Sequence, residues 1–241
     1  RIFMILGVST GCFHKYLDPA SQRAVDIIKS LGCNAIELHT GYGDRLDRSF
    51  DLDLSGFEYR SLHGSTISGG EDHEKMREIF QKILKLHEMM NFHAIVFHPD
   101  EILDYTVFDE FDLPYAFENM DTRKKSHTTV KEMRELLERR DAKMVLDIQH
   151  TYEHDPSMQL ADDFLASLKD RMVQIHISGC SPITEDMGPH HMLHLRDQAI
   201  IVQHTPTDIP LIIESVVPEG LDYMGAMQDE IAFIEKHIRS Q

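Results

Sequence analysis

Met144-Val145-Leu146-Asp147-Ile148-Gln149-His150 is a short apolar run with one carboxylate set into it and a histidine just beyond. An uninterrupted run of this length, Met144–Ile148, is what a parallel strand buried on both faces requires. A carboxylate inside such a run is rarely left without a partner, because burying a lone charge is costly. The stretch therefore reads as a core strand that delivers Asp147 at its end, with His150 on the loop just past it.

The same pattern recurs in both directions. Ile2–Val8, Ala35–Leu38, Tyr59–Leu62, Ala94–Phe97, Tyr115–Phe117, Met172–Ile177 and Pro210–Ile213 are further strand-length apolar runs. Helical patterns fall between several of them. Asp18-Pro19 reads as an N-cap with Pro at the first helical position, and Val25, Ile28 and Leu31 form one face before Gly32 closes the helix. Glu71–Met90 is the clearest helix, with Met76, Ile79, Phe80, Ile83, Leu84 and His87 in a stripe. Val130, Met133 and Leu137 mark another, Leu160, Phe164 and Leu168 a third, and Met224, Met227, Ile231, Ile234 and Ile238 the last. Strand–helix alternation at roughly 30 residues per unit is the arithmetic of a (β/α)8 barrel. The expectation is an α/β chain folded as a single TIM barrel over residues 1–241. Pro99–Leu113 and Tyr42–Phe57 are too short and too acidic for full crossover helices, so short helices or loops are expected there. An open doubly wound sheet is the competing fold, but Ser9-Thr10-Gly11-Cys12 lacks the Gly-rich turn it needs.

Composition narrows the function. The 241 residues carry 24 Lys+Arg against 41 Asp+Glu, a formal charge of −17, which disfavours a general polyanion binder. With 41% hydrophobic residues the chain can offset its ordering entropy, so it is not disordered. The 3 cysteines cannot staple a domain of this size and fit a reducing cytoplasm. No leader pattern opens the chain, and no apolar run reaches the roughly 18–20 residues of a membrane span. The outlier is histidine, with 16 copies and no Trp.

Those histidines fall where strands end. The runs finish Glu37-Leu38-His39, Leu62-His63-Gly64, Phe97-His98-Pro99 and Phe117-Glu118-Asn119, and later ones hold Asp147, His176 and Glu214. In a barrel those edges converge on one mouth, where active sites sit. Carboxylates and imidazoles crowded there repel or need costly desolvation unless a cation lies among them. Glu118, Asp147, His176 and Glu214 form an oxygen-rich set suited to Zn²⁺, Mn²⁺, Mg²⁺ or Co²⁺. His63 and His98 could hold a second ion with Glu118 as the bridge, or bind substrate or backbone instead. His150 is poised for a metal or a substrate hydroxyl, and Arg196 for substrate oxygens. Arg123, Lys124 and Lys125 read as the solvated start of a helix, with an anionic substrate group as the alternative. Cys12, without a basic neighbour, reads as cavity lining rather than a nucleophile.

Ser61-Leu62-His63, Val96-Phe97-His98-Pro99, Phe117-Glu118-Asn119, Asp147-Ile148-Gln149-His150, Gln174-Ile175-His176 and Ile212-Ile213-Glu214 together resemble the xylose isomerase-like TIM-barrel superfamily. That superfamily includes endonuclease IV (AP endonuclease family 2) and the sugar phosphate isomerases and ketose 3-epimerases. The resemblance spans nearly the whole chain in the family's order and implies a divalent metal at Glu118, Asp147, His176 and Glu214. In the epimerase-like branch Glu118 and Glu214 also move protons on either face of an enediolate. In the endonuclease-like branch His63, His98 and Glu118 hold one zinc, the four-residue set holds a second, and His150 with an Asp-x-His pair holds a third. The corresponding loop, Asp186–His194, departs from that pair: if His191 is the family histidine, Pro189 stands where its aspartate belongs, and Asp186, His190 and His194 are the candidate substitutes. Gly64–Gly70 also lacks the aromatic, Asn-containing stretch that endonuclease IV proteins use near DNA.

The expected activity is therefore a metal-dependent sugar or sugar-phosphate isomerase or epimerase working through a metal-stabilised enediolate. The alternative is a zinc phosphodiesterase acting on abasic DNA. A barrel that binds without catalysis is the weakest of the three readings, and a lyase on the same site stays open. A homodimer is expected only by analogy with the family.

Overall fold

The computed structural model describes residues 4–41, 44–64, 73–181 and 190–238. Its strands are β1 (Leu6–Ser9), β2 (Ala35–His39), β3 (Tyr59–His63), β4 (Ala94–Phe97), β5 (Tyr115–Glu118), β6 (Lys143–Asp147), β7 (Met172–Ile177) and β8 (Leu211–Ile213). All pair in parallel, in sequence order, and the sheet closes where β1 meets β8 with Val8 opposite Ile213. The helices are α1 (Gln22–Ser30), α2 (Arg45–Arg48), α3 (His73–Met90), α4 (Val130–Arg140), α5 (Ile148–His154), α6 (Gln159–Leu168), α7 (Leu193–Arg196), α8 (Ala199–Gln203) and α9 (Tyr223–His237). This is a (β/α)8 barrel. The connections after β2 and β4 carry only short helical turns, as their acidic, interrupted sequences imply.

Side chains alternate across a strand, so one parity faces the helices and the other the barrel axis. Ile36, Leu38, Leu62, Ile95, Phe117, Leu146 and Ile175 take the outer parity and join the main core beneath the helices. On α3 the buried residues Met76, Phe80, Ile83, Leu86 and Met90 recur every three or four positions, which lays one apolar stripe on the sheet. Phe80 stacks on Phe97 at 5.4 Å and meets Phe108 edge-on at 4.8 Å, so the turn after β4 fills the place of a full crossover helix. The inner parity packs two small apolar layers along the axis. Ala35, Tyr59 and Ile212 fill one part of the axis, and Val96, Ala116 and Val145 another. Two residues further along those strands come Glu37, Ser61, Glu214, His98, Glu118 and Asp147, so the inner parity leads straight to the ionisable residues at the strand ends.

Local signals explain two departures from expectation. The first helix is capped by Ser21, whose hydroxyl accepts from Ala24 N, whereas Asp18 accepts from Ala20 N in the preceding turn. A Ser one residue before a helical stripe competes directly with an Asp-Pro pair, and here it wins. At the N-terminus of α4, Thr129 and Glu132 form a reciprocal capping box, which sets its start at Val130. Arg123, Lys124 and Lys125 therefore lie outside the helix they were expected to begin.

Candidate metal centre and active site

At the end of β6 the chain passes from strand to helix without a loop. Asp147 is both the last strand residue and the N-cap of α5: its Oδ1 accepts from His150 N at 3.0 Å. That leaves Oδ2 for the barrel mouth and sets His150 one helical turn beside it, with His150 Nε2 3.4 Å from Asp147 Oδ2. Asn119 continues the ladder beyond β5 with its side chain, accepting from Asp147 N at 2.8 Å and donating to Asp147 O at 3.0 Å. The Asn119 carbonyl in turn receives His150 Nδ1 at 2.7 Å, which fixes Nδ1 as the protonated nitrogen and frees Nε2 to face the carboxylates.

Glu118, Asp147, His176 and Glu214 converge, each offering one ligand atom within 4.8 Å of all the others. They are 1%, 1%, 0% and 8% exposed, and Glu118 and Glu214 line a cavity of about 790 Å³. His176 Nδ1 lies 3.5 Å from Glu118 Oε1 and 3.3 Å from Glu214 Oε2. Those spacings are loose for charge-assisted hydrogen bonds. They match the roughly 3.3 Å edge of a tetrahedron whose ligands stand about 2 Å from a central ion. His176 Nδ1 and Glu118 Oε2 are also buried without a hydrogen-bond partner, an arrangement that is costly unless something else occupies them. The donor set and its unpartnered atoms fit a divalent cation.

A second group shares Glu118. His63, His98 and Glu118 meet the same 4.8 Å condition, with His98 Nε2 3.3 Å and His63 Nε2 3.7 Å from Glu118 Oε2.

Charge is distributed unevenly among the acids. Burial pushes the Asp147 carboxyl up to about 6, with Glu118 adding to the rise. Burial, then repulsion from Glu118 and Glu37, raises Glu214 well above the ordinary range. Burial acts on Glu118 in the same sense, but His176, His63 and His98 outweigh it and hold its carboxyl well below the usual value. The structure thus separates the two glutamates: three imidazoles outweigh burial at Glu118, whereas burial and the neighbouring carboxylates outweigh His176 at Glu214.

The loop after β7 brings one of the sequence's candidate histidines to the site. His190, not His191, lines the cavity, with Nδ1 3.7 Å from Glu214 Oε2 and its ring 6.2 Å from that of His150. His191 is held by its backbone, which pairs with Gly179 in an isolated bridge. His190 has φ 77°, a left-handed conformation uncommon for a residue with a side chain, and it turns the ring inward. Burial, then His150, pushes the His190 imidazole down to about 3, so it stands there neutral. Asp186 and Pro189 lie outside the described residues. His194 is turned to α9, where Glu230 Oε2 lies 2.6 Å from its Nδ1. Arg196 is likewise misplaced by the sequence reading: it is exposed on α7 and does not line the cavity.

The cations that do line the cavity are Arg45, Arg123 and Lys124. Arg123 pairs with Asp121, and Lys124 with Asp100 at 2.7 Å and Glu101 at 3.5 Å. Arg45 donates to His39 Nδ1 at 3.3 Å. Cys12, Phe97, Ile102, Met120 and Val216 supply the apolar wall. The Cys12 thiol donates to Ile213 O, and burial with the nearby Glu214 keeps it protonated, so it lines the cavity.

Sequence reasoning placed Glu37 at a strand end but gave it no part in the site. It is fully buried, and its Oε2 accepts from Ser61 Oγ at 3.0 Å, Gln174 Nε2 at 2.6 Å and His176 Nε2 at 3.0 Å. Burial raises its carboxyl, but His176 and these hydrogen bonds prevail and lower it to about 2. The available signal was parity: Glu37, Gln174 and His176 all fall on the inner face of their strands.

No protein-family model matches the chain, and no curated protein matches its sequence. Solved structures do match its shape. Endonuclease IV from Thermus thermophilus superposes with a TM-score of 0.66 at 15% identity, covering 96% of this chain and 99% of that one. D-psicose 3-epimerase from Clostridium cellulolyticum gives 0.63 at 12% identity, over 98% of this chain and 100% of that one. A 3-keto-D-glucoside 4-epimerase from E. coli gives 0.60 at 12% identity, over 97% and 99%. Identities this low speak to architecture alone. With an eight-stranded closed barrel matched over nearly all of its length, the chain shares the (β/α)8 fold of these enzymes.

Proposed function

We propose that the protein is a divalent-metal-dependent isomerase or epimerase acting on a small polyhydroxylated carbonyl compound, a sugar or sugar phosphate. The observation that carries this reading is the convergence of Glu118, Asp147, His176 and Glu214, two of which, Glu118 and Glu214, line a small cavity with a partly apolar wall. A cation bound there supplies Lewis-acid polarisation of a carbonyl and its neighbouring hydroxyl. Glu118 Oε1 and Glu214 Oε2 lie 3.5 Å and 3.3 Å from His176 Nδ1, so two carboxylates stand beside a substrate bound at the cation. One carboxylate takes the proton from the carbon beside the carbonyl and the other returns a proton, so the net reaction consumes none. His150 Nε2 and the neutral His190 are placed to hold substrate oxygens. Arg123 and Lys124 are offset by Asp121, Asp100 and Glu101, which supports a small substrate over a long polyanion.

One observation favours a second reading, hydrolysis of a phosphodiester at an abasic DNA site. The group His63, His98 and Glu118 shares a carboxylate with the four-residue set, an arrangement suited to two ions flanking an in-line displacement.

The test pairs two assays on metal-loaded protein. One follows exchange of substrate carbon-bound hydrogen with D2O across a panel of ketoses, polyols and sugar phosphates. The other follows nicking of a duplex carrying one abasic site. Exchange that disappears in Glu214→Gln supports the isomerase. Rapid nicking that disappears in Glu118→Gln, with no exchange on any panel member, establishes the second reading in its place.

A further inference from the structure

We propose that Glu37 is a positioning residue for the metal centre: it holds His176 by one ring nitrogen so that the other, Nδ1, is presented as a lone pair to a cation. The proposal rests on the reading of Glu118, Asp147, His176 and Glu214 as a metal centre and extends it to a residue that touches neither ion nor substrate.

The argument begins with who can donate. A carboxylate that has lost its proton only accepts. Glu37 Oε2 receives the Ser61 hydroxyl at 3.0 Å and the Gln174 amide at 2.6 Å, and the third group on that oxygen is His176 Nε2 at 3.0 Å. Gln174 Nε2 also lies 2.6 Å from His176 Nε2, but a lone pair on Nε2 would face the Glu37 carboxylate, so the proton of a neutral His176 belongs on Nε2 and is donated to the charged acceptor. Nδ1 is then a lone pair, and it is the atom that faces Glu118 and Glu214 without a hydrogen-bond partner. An imidazole with the opposite tautomer would turn an N–H towards the centre and could not ligate.

Depth makes the hold rigid. Glu37 and His176 are both 0% exposed, so bulk solvent does not reach the ring. Their partners come from three strands: Glu37 from β2, Ser61 from β3, and Gln174 with His176 from β7. Glu37 stands opposite Ser61 in the β2–β3 register, one layer beneath His63. Ser61 and Gln174 hold the same carboxylate oxygen that meets the ring. A carboxylate behind a ligating imidazole raises its basicity as well as fixing its orientation, and loss of such a partner typically weakens metal binding by about 10–100-fold.

The experiment titrates the metal-free protein with Co²⁺, read by its visible absorption, and records by ¹⁵N NMR which His176 nitrogen carries a proton in the Zn²⁺-loaded protein. Wild type is expected to show His176 with the proton on Nε2. Glu37→Gln is expected to bind Co²⁺ about 10–100-fold more weakly. A Glu37 that serves only to fill the barrel would lower the melting temperature on replacement and leave the Co²⁺ affinity of the folded fraction unchanged. Affinity in Glu37→Gln within threefold of wild type overturns the proposal. So does a wild-type His176 carrying its proton on Nδ1, a result that decides the matter even if the variant fails to fold. Wild-type protein that binds no Co²⁺ fails at the earlier step and removes the metal centre itself.

Discussion

Glu230 on α9 provides the sharpest energetic test of how the cavity mouth is built. Its carboxylate is fully buried. Oε1 accepts from Leu193 N at 2.8 Å and Ser215 Oγ at 2.5 Å, while Oε2 lies 3.0 Å from His194 N and 2.6 Å from His194 Nδ1. It thus caps the start of α7 and anchors the segment that leads from His190 across the mouth. Glu230→Gln keeps the shape and replaces one oxygen by NH2. If the NH2 takes the Oε1 position it faces the Leu193 N–H; if it takes the Oε2 position it faces the His194 N–H. Ser215 can rotate to accept, but a backbone N–H cannot. Either orientation loses a hydrogen bond to a charged group, about 1.5–3 kcal/mol, and strands a buried donor, a further 1–3 kcal/mol. The expected loss is about 3 kcal/mol, read as the shift in urea midpoint at unchanged slope. Hydrogen exchange at the Leu193 and His194 amides should accelerate at the same time. A loss under about 1 kcal/mol would mean that water or a shifted backbone replaces these bonds. The account of Glu230 as the anchor of the His190 segment would then be wrong.

Metal removal should destabilise the fold: an ion present at 100 times its dissociation constant adds about 2.7 kcal/mol, so a chelator should lower the melting temperature and a refilled site restore it. An unchanged melting temperature would argue against a resident ion. The pH dependence should differ between the two forms. Asp147 is raised from 3.8 to about 6, so between those values the native state holds a proton that the unfolded chain releases. The metal-free protein should therefore lose stability as pH rises through that window, while metal affinity should rise over it because the ligand must be deprotonated. Equal affinity at about pH 5 and 7 would refute this. Gly64→Ala should destabilise the fold, since its Cβ would stand 2.7 Å from both Phe97 Cε1 and the Val96 carbonyl oxygen. Relief requires the backbone beside His63 to move, at a cost of about 1–3 kcal/mol in thermal or urea unfolding.

The barrel and its four-residue centre were legible because each strand states its own case. An ionisable residue on the inner parity near the end of an apolar run, as at Glu118, Asp147, His176 and Glu214, points to the mouth whatever the neighbouring strands do. The loop after β7 has no such periodicity. Consecutive histidines at 190 and 191 differ only in backbone dihedrals, and the left-handed turn at His190 decides which ring enters the cavity. The cap at Ser21 and the placement of Arg196 are similar cases, settled by local hydrogen bonds and by the short α7 rather than by pattern.

Glu37 was hidden for a different reason. Ala35-Ile36-Glu37-Leu38 resembles Tyr115-Ala116-Phe117-Glu118 in every respect a single strand can show: an acid on the inner parity near the end of an apolar run. What separates them is height along the axis. Glu37 lies level with Ser61, with His63 standing one layer above on the neighbouring strand, whereas Glu118 lies in the ligand layer itself. Strand register sets that height, and register depends on how neighbouring strands slide past one another as the barrel closes. One sequence therefore reveals which residues face the axis. Only the assembled sheet reveals which of them reach an ion and which stand behind a residue that does.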